Sequence, residues 1–282
     1  MLKKSSCSGN LYAEQDLIQA YRVLYDQTPL VKFCHEQVNC FLNEATKNHA
    51  AYTLLDIGFG TGAQWISYLE QHPQQQIDLI GIDLPTPLNQ KLVDEFKQKT
   101  AHLSNFRFQS ILQEIEQLAF AKLPIEIRPL YINASLALHH LWDKDWVLSQ
   151  IKLLKPELFC LVEPDSDHNS QDPDRTLSEV KAHYGALFEF LEHHLAGKPE
   201  LAVIQDQFFG EEIRNILGFS DRRRVERCER FEQWTKRLNA QSFKLLRHEG
   251  LTWKETRLVV CSAWAPSNSS AIQISQHKIH AA

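Results

Sequence analysis

The sequence predicts an α/β protein: a Rossmann-like, mostly parallel sheet with helices on both faces, plus a helical cap. Three observations carry this expectation. Residues 52–62 (YTLLDIGFGTG) run from an apolar stretch, Leu54-Leu55, through Asp56 into glycines at alternate positions, Gly58, Gly60 and Gly62. A buried strand that stops at a glycine-rich turn lets backbone approach a ligand where a Cβ would collide. Strand-like and helix-like segments then alternate as far as residue 163. Finally, the alternation breaks over residues 170–240, which read as charged and helical, and a β signal returns from Ser242.

The elements follow in order. From Asp16 to Ala45 apolar residues recur at helical spacing, first Leu17, Ala20, Tyr21 and Leu24, then Val31, Cys34, Val38, Phe41 and Leu42. Pro29 divides them into two helices. Leu54-Leu55 is a strand, and Ala63 to Glu70 opens a helix. Ile77 to Asp83 is a second strand, followed by the turn residues Pro85, Thr86 and Pro87 and by a helix from Leu88 to Lys99. Phe106 to Phe108 is a short strand, with a helix expected from Ile111 to Ala121. Pro129 to Ile132 is a fourth strand, Trp146 to Leu154 a helix, and Leu158 to Glu163 a fifth strand. Such alternation implies right-handed crossovers and a parallel sheet. Near the end, Phe243 to Leu246 is a candidate strand, and Leu251 to Trp253 with Arg257 to Cys261 reads as a hairpin. The expected organisation is N-terminal cap helices at 10–49, a Rossmann-like core at 50–169, a helical insertion of the cap at 170–240, core strands at 241–266 and a disordered tail at 267–282. A pocket is expected between cap and core.

Bulk properties exclude several classes. With 43% apolar and 23% charged residues, the 282-residue chain has an ordinary globular balance. A net charge of −5 opposes direct nucleic-acid binding through a basic surface. The first 15 residues, MLKKSSCSGNLYAEQ, lack the apolar core of a secretory leader. No run of about 18 apolar residues suggests a membrane span. The chain is therefore expected in the cytoplasm, with the Ser/Asn/Gln/His-rich tail as the one place where an export address into a host could reside. The six cysteines form no CxxC pair and read as buried free thiols, so no metal site is expected.

The glycine turn fits two templates. Gly58, Gly60 and Ala63 match the dinucleotide fingerprint G-x-G-x-x-G/A. Asp56, Gly58, Gly60 and Gly62 equally resemble the turn of class I methyltransferases, which bind S-adenosylmethionine. Asp83 lies 20 residues past Ala63, where either template places a carboxylate for ribose hydroxyls. Asn133 to Leu141 (NASLALHHL) resembles the LHHL segment of small-molecule methyltransferases, in which a Leu-Lys-Pro turn, here Leu154-Lys155-Pro156, precedes the fifth strand. That pairing favours methyl transfer over hydride transfer. Glu163-Pro164-Asp165-Ser166-Asp167-His168-Asn169 would lie beyond the carboxyl end of the fifth strand, where a carboxylate beside a histidine can tune a general base. Asp165, Asp167 and Asn169 also offer oxygen atoms of the kind that hold Mg²⁺ or Ca²⁺, or serve as helix N-caps. Arg222-Arg223-Arg224 opens a run in which Val225, Cys228, Phe231, Trp234 and Leu238 recur at helical spacing. This predicts an amphipathic helix with mixed charges outside and a Glu226–Arg230 pair.

The order of these segments resembles the GRAS family, known chiefly as plant transcriptional regulators, with bacterial relatives that look like methyltransferases. The resemblance spans about Ala20 to Trp264. It rests on Ala20 to Asp26, Pro29 to His35, Leu54 to Gly58 with Gln64-Trp65, Asn133 to Leu141 and Val162 to Asn169. It continues through His183 to Phe188, Glu212 to Leu217, Arg224 to Arg227 and the closing Ser262-Ala263-Trp264. Plant members typically lack a glycine at Gly60, so its presence moves the reading toward a retained cofactor site. The short stretch between Leu246 and Leu251 omits a helix the family usually carries.

The resemblance implies a Rossmann-like core under a helical cap and an S-adenosylmethionine-dependent methyltransferase acting on a small molecule. Asp56, Gly58, Gly60, Gly62, Asp83, Asn133 and Ser135 would form the cofactor site. His139, Glu163, Asp165 and His168 are the candidates for substrate binding or proton removal. The alternative is a non-catalytic regulator or small-molecule sensor acting through protein partners, and the family's habits also imply a homodimer or other protein contact.

Overall fold

The computed structural model describes residues 22–220 and 222–268. Residues 22–27 are helical, and α1 (Pro29–Thr46) follows at once. Thr28 divides them: its Oγ1 accepts from Leu30 N–H at 3.3 Å, and Pro29 occupies the first helical turn, where a missing N–H costs nothing. The remainder runs β1 (Ala51–Ile57), α2 (Ala63–Gln71), β2 (Gln76–Asp83), α3 (Pro87–Thr100) and β3 (Phe106–Leu112). Then come β4 (Leu130–Ser135), α4 (Lys144–Leu153), β5 (Leu158–Pro164) and α5 (Pro173–Leu195). A continuous helix α6 comprises Glu200–Val203, a π-helical turn at Ile204–Phe209, and Gly210–Gly218. α7 (Phe231–Ala240), β6 (Phe243–Trp253) and β7 (Thr256–Pro266) close the chain.

The strands form one seven-stranded sheet in the order β3-β2-β1-β4-β5-β7-β6. The first five are parallel, while β7 runs antiparallel to β5 and β6 antiparallel to β7. After β1 the chain moves outward through β2 and β3, then returns to β1's other side with β4. The strand order therefore reverses between β1 and β4, and a crevice opens beyond their carboxyl ends.

Strand pleat divides the apolar residues between two cores. Leu54, Leu79, Tyr131 and Cys160 pack in one cluster with α1, α2, α3, α5 and α6. Their neighbours Leu55, Ile80, Ile132 and Phe159 pack in the other with α4 and α7. Burial on both faces explains why the parallel strands read as continuous apolar runs.

Four expectations change. No helix begins at Ile111: Ile111 and Leu112 extend β3, pairing with Ile82 and Asp83, and 3₁₀ turns at Ile115–Gln117 and Phe120–Lys122 follow. The separate candidates Phe243–Leu246 and Leu251–Trp253 are one strand, so the stretch where the family usually carries a helix is unbroken β6, with register shifts at Leu245/Arg247 and Leu251/Thr252. Residues 222–230 are not helical either, and α7 starts only at Phe231. The run is held extended by bonds elsewhere in the fold: Val225 and Glu226 N–H both donate to Asn215 Oδ1 (2.7 and 3.0 Å), Arg227 N–H to His139 O (3.1 Å), and His168 N–H to Cys228 O (3.1 Å). Glu226 is consequently fully buried and makes no surface pair with Arg230, whose guanidinium bonds Glu179. Leu17, Ala20 and Tyr21 of the first expected helix, and the tail from residue 269, lie outside the described residues. Among the described residues no helix is long and apolar enough to cross a membrane.

The glycines after β1 are not equivalent. All three have positive φ, +82° at Gly58, +55° at Gly60 and +64° at Gly62. A Cβ on Gly58 would lie 2.7 Å from Ala137 Cβ, and one on Gly62 would lie 2.5 Å from the Phe96 ring, whereas one on Gly60 would meet nothing nearer than Gly58 O at 3.9 Å. Gly62→Ala is expected to cost about 3 kcal/mol or more, combining backbone strain with overpacking, and Gly60→Ala about 1 kcal/mol from strain alone. Urea denaturation of the two variants checks the ranking.

Candidate functional site

The glycine loop is clamped to the end of β2. Gly58 and Phe59 N–H both donate to Ile82 O, at 2.9 and 3.1 Å, and Gly60 N–H donates to Asp83 Oδ2 at 2.7 Å. Phe59 turns inward and stacks on Phe108 with ring centroids 5.0 Å apart. Asp83 Oδ1 meanwhile accepts from Leu84 N–H (2.7 Å) and Asn89 Nδ2 (2.8 Å). A carboxylate offers about four acceptor sites, so three are filled and one on Oδ2 is free. Burial raises the Asp83 pKa, and the bonds from Gly60 and Leu84 oppose that rise.

Before the loop, Asp56 is a buried carboxylate one residue from the end of β1. Its Oδ2 accepts from Trp65 Nε1 at 2.6 Å and its Oδ1 from Asn133 Nδ2 at 2.7 Å. Asn133 Oδ1 in turn accepts from Ser135 Oγ at 3.2 Å. Desolvation lifts the Asp56 pKa to about 6 despite these two bonds. Asp56 thus fixes Trp65 on α2 against the end of β4.

These residues form one wall of a cavity of about 650 Å³, within the usual range for small-molecule sites. The same cavity is also lined by His139, His140, Tyr184, Glu212, Glu226 and Cys228. His139 stands on a 3₁₀ turn after β4, and Glu163 is the penultimate residue of β5. Glu163 Oε1 accepts from Leu138 N–H at 2.8 Å, and its Oε2 meets His139 Nδ1 at 2.6 Å. His139 Nε2 then faces Glu226 Oε2 at 3.4 Å. Burial disfavours charge on this imidazole, yet Glu163 and then Glu226 outweigh it and raise the His139 pKa to about 10. Tyr184 donates from its hydroxyl to Glu212 Oε2 at 2.9 Å.

The structure brings Asp56, Gly58, Gly60, Gly62, Asp83, Asn133, Ser135 and His139 to the cavity but not Glu163, Asp165 or His168. Glu163 acts behind His139. Asp165 is consumed by packing: its Oδ1 accepts from Phe231 N–H at 2.7 Å, capping α7, and its Oδ2 pairs with Arg257 Nε at 2.6 Å. His168 is fully buried, its Nε2 against Ser166 Oγ at 2.9 Å and its ring stacked on Tyr184. Burial, with His183 adding to it, lowers the His168 pKa to about 3. Neither residue is placed to remove a substrate proton. Asp167, read as a cation-site oxygen, instead bonds Asn169 N–H and Arg175.

Sequence reasoning missed Tyr184, Glu212, Glu226 and Cys228 as cavity residues. Helical periodicity over 222–238 concealed the last two, because the extended strap borrows its hydrogen bonds from distant residues.

The model of the GRAS domain family matches residues 2–251. The chain belongs to the GRAS family. It is 27% identical over 237 residues to DELLA protein GAI of Arabidopsis thaliana, covering 78% of this chain and 44% of that protein. The chain spans about half the length of the plant relatives it matches. Its fold is similar to that of SCL7 from Oryza sativa, with a TM-score of 0.79 at 22% identity over 90% of this chain and 84% of that one. A further likeness is to the CMeT domain of the citrinin polyketide synthase, with a TM-score of 0.58 at 14% identity over 92% of this chain and 59% of that one. At these identities the two likenesses show the fold alone, a Rossmann-like sheet with helices on both faces.

Asp56 generates a pH signature. Its carboxyl binds a proton more tightly folded (about 6) than at its ordinary value of 3.8, so stability falls as pH rises through that window. The loss amounts to about 3 kcal/mol, at 1.36 kcal/mol per unit. Relative to Asp56→Asn, the wild type should lose that stability between pH 4 and 6.5 in paired urea titrations. A parallel pair of curves would refute the assignment.

Proposed function

We propose that this GRAS domain binds S-adenosylmethionine at the Gly58–Gly62 loop and methylates a small molecule held in the same cavity. The observation that carries the reading is the space at Gly60. Packing requires Gly58 and Gly62 to be small, but a Cβ on Gly60 would enter open cavity. That space opens into a mainly apolar cavity in which Asp83, Asn133 and Ser135 place polar groups beside the loop. The free acceptor site on Asp83 suits a ribose hydroxyl, and Asn133 with Ser135 offers polar atoms beside the loop. When bound, the cofactor supplies a methyl group on a sulfonium, already electrophilic. The protein then needs chiefly to hold the acceptor in line and exclude water. His139 has Nδ1 held by Glu163 and Nε2 facing Glu226, so it suits positioning of the acceptor better than removal of a proton.

The likeness to a CMeT domain supports the fold needed for this chemistry. The same loop could equally serve a sensor that holds the cofactor without turnover and signals through a protein partner.

Isothermal titration separates these readings from an empty scaffold. S-adenosylmethionine should bind with a stoichiometry near one, and Gly60→Val should weaken binding at least tenfold while the variant remains folded by circular dichroism. Absence of heat, or binding of NAD alone, would sink the proposal. Transfer of a labelled methyl group to a metabolite extract then distinguishes enzyme from sensor.

A further inference from the structure

The cavity lining gathers three donor atoms of different chemistry. His139, Glu226 and Cys228 are all buried, and one ligand atom of each lies within 4.8 Å of the other two. They are far apart in sequence. The turn after β4 supplies His139, and the extended strap supplies Glu226 and Cys228 at alternate positions, which place their side chains on one side.

Two further observations point to an ion. Among the described residues neither carboxylate oxygen of Glu226 has a hydrogen bond, although the residue is 0% exposed. An ionised carboxylate buried without such bonds is costly unless a cation compensates it, a part the His139 imidazolium at 3.4 Å plays and a metal ion takes over on displacing its proton. His140 Nδ1, likewise buried without a hydrogen bond, flanks it 3.4 Å from Glu226 Oε1. The second observation is the carboxylate behind the histidine. Glu163 Oε2 takes His139 Nδ1 at 2.6 Å and is itself fixed by Leu138 N–H, so Nε2 is aimed at Glu226. Metal-bound histidines are oriented in this way, the carboxylate setting the tautomer and raising ligand basicity. The 3.4 Å from His139 Nε2 to Glu226 Oε2 is too long for a good hydrogen bond. It matches the edge of about 3.3 Å between nitrogen and oxygen in a tetrahedron with metal–ligand bonds of about 2.0–2.1 Å.

We propose that His139 Nε2, Glu226 and Cys228 Sγ bind a divalent transition metal of the zinc class, with a fourth position open to the cavity. One nitrogen, one oxygen and one sulfur ligand suit a borderline-soft ion, and three protein ligands with one vacant position is the pattern of sites that take a ligand or water. On binding, the ion replaces the proton shared near Nε2 and displaces that of the thiol, both leaving to solvent. The open position takes an oxygen of the molecule in the cavity, which the ion polarises. The site does not depend on the cofactor reading of the glycine loop.

Cobalt(II) is the probe, because a thiolate ligand gives it a charge-transfer absorption band. The full chain, stripped with a chelator and desalted, should bind one equivalent of cobalt with that band and release it to zinc. Cys228→Ser should abolish the band and weaken cobalt binding at least tenfold, while Cys40→Ser should leave both unchanged. Glu226→Gln, nearly the same in shape, should also weaken binding at least tenfold, and it decides the matter if Cys228→Ser does not fold. Failure of the folded wild type to bind cobalt overturns the proposal. So does a band that survives in folded Cys228→Ser, or unchanged affinity in Glu226→Gln.

Discussion

The hydrogen bond from Gly60 N–H to Asp83, at 2.7 Å, is the contact on which the site depends. It ties the turn after β1 to the end of β2, and with the two bonds to Ile82 O it sets the loop's height above the sheet. Everything that makes this crevice usable follows. Phe59 is driven inward over Gly81 and against Phe108, Gly62 is pressed against Phe59 and Phe96, and Gly60 is left facing open space. The bond is charge-assisted and partly buried, so it counts for more than an exposed contact of equal length.

A second constraint works elsewhere in the cavity lining. The strap at 222–230 makes no regular structure of its own, and its backbone is satisfied by Asn215, His139, His168 and Asn169. Those bonds commit α6, the turn after β4 and the segment after β5 to one arrangement. They also carry Glu226 and Cys228 into the cavity, which no surface helix would have done. The helical elements over the sheet thus contribute chemistry as well as cover. The sheet and its glycine loop supply one part of the cavity lining, while the strap with Tyr184 of α5 and Glu212 of α6 supplies another.

Much of this was legible in the sequence. The strands showed because both faces are buried, so Leu54-Leu55, Leu79 to Ile82 and Leu158 to Val162 read as unbroken runs without a charge. Asp56, Asp83, Asn133 and Ser135 lie where their place at strand ends puts them. Asp165 and His168 misled because a polar loop after a strand looks alike whether it faces ligand or caps a helix; here Phe231 N–H and Arg257 claim the aspartate. Glu226 and Cys228 were illegible for a different reason. The periodicity of Val225 and Cys228 with Phe231, Trp234 and Leu238 is genuinely helical and set Glu226 on the outer face, but tertiary hydrogen bonds override it before Phe231. No local pattern reports bonds made to residues 139, 168 and 215.

The account's central claim is that the space at Gly60 is a cofactor's seat. Backbone amide shifts measured by NMR, with and without S-adenosylmethionine, test it most directly. The account predicts that the largest shifts fall on Gly58 to Gly62 and on Asp83 and Leu84, with the far strands β6 and β7 unmoved. Saturating cofactor that leaves the Gly60 amide unshifted would contradict it.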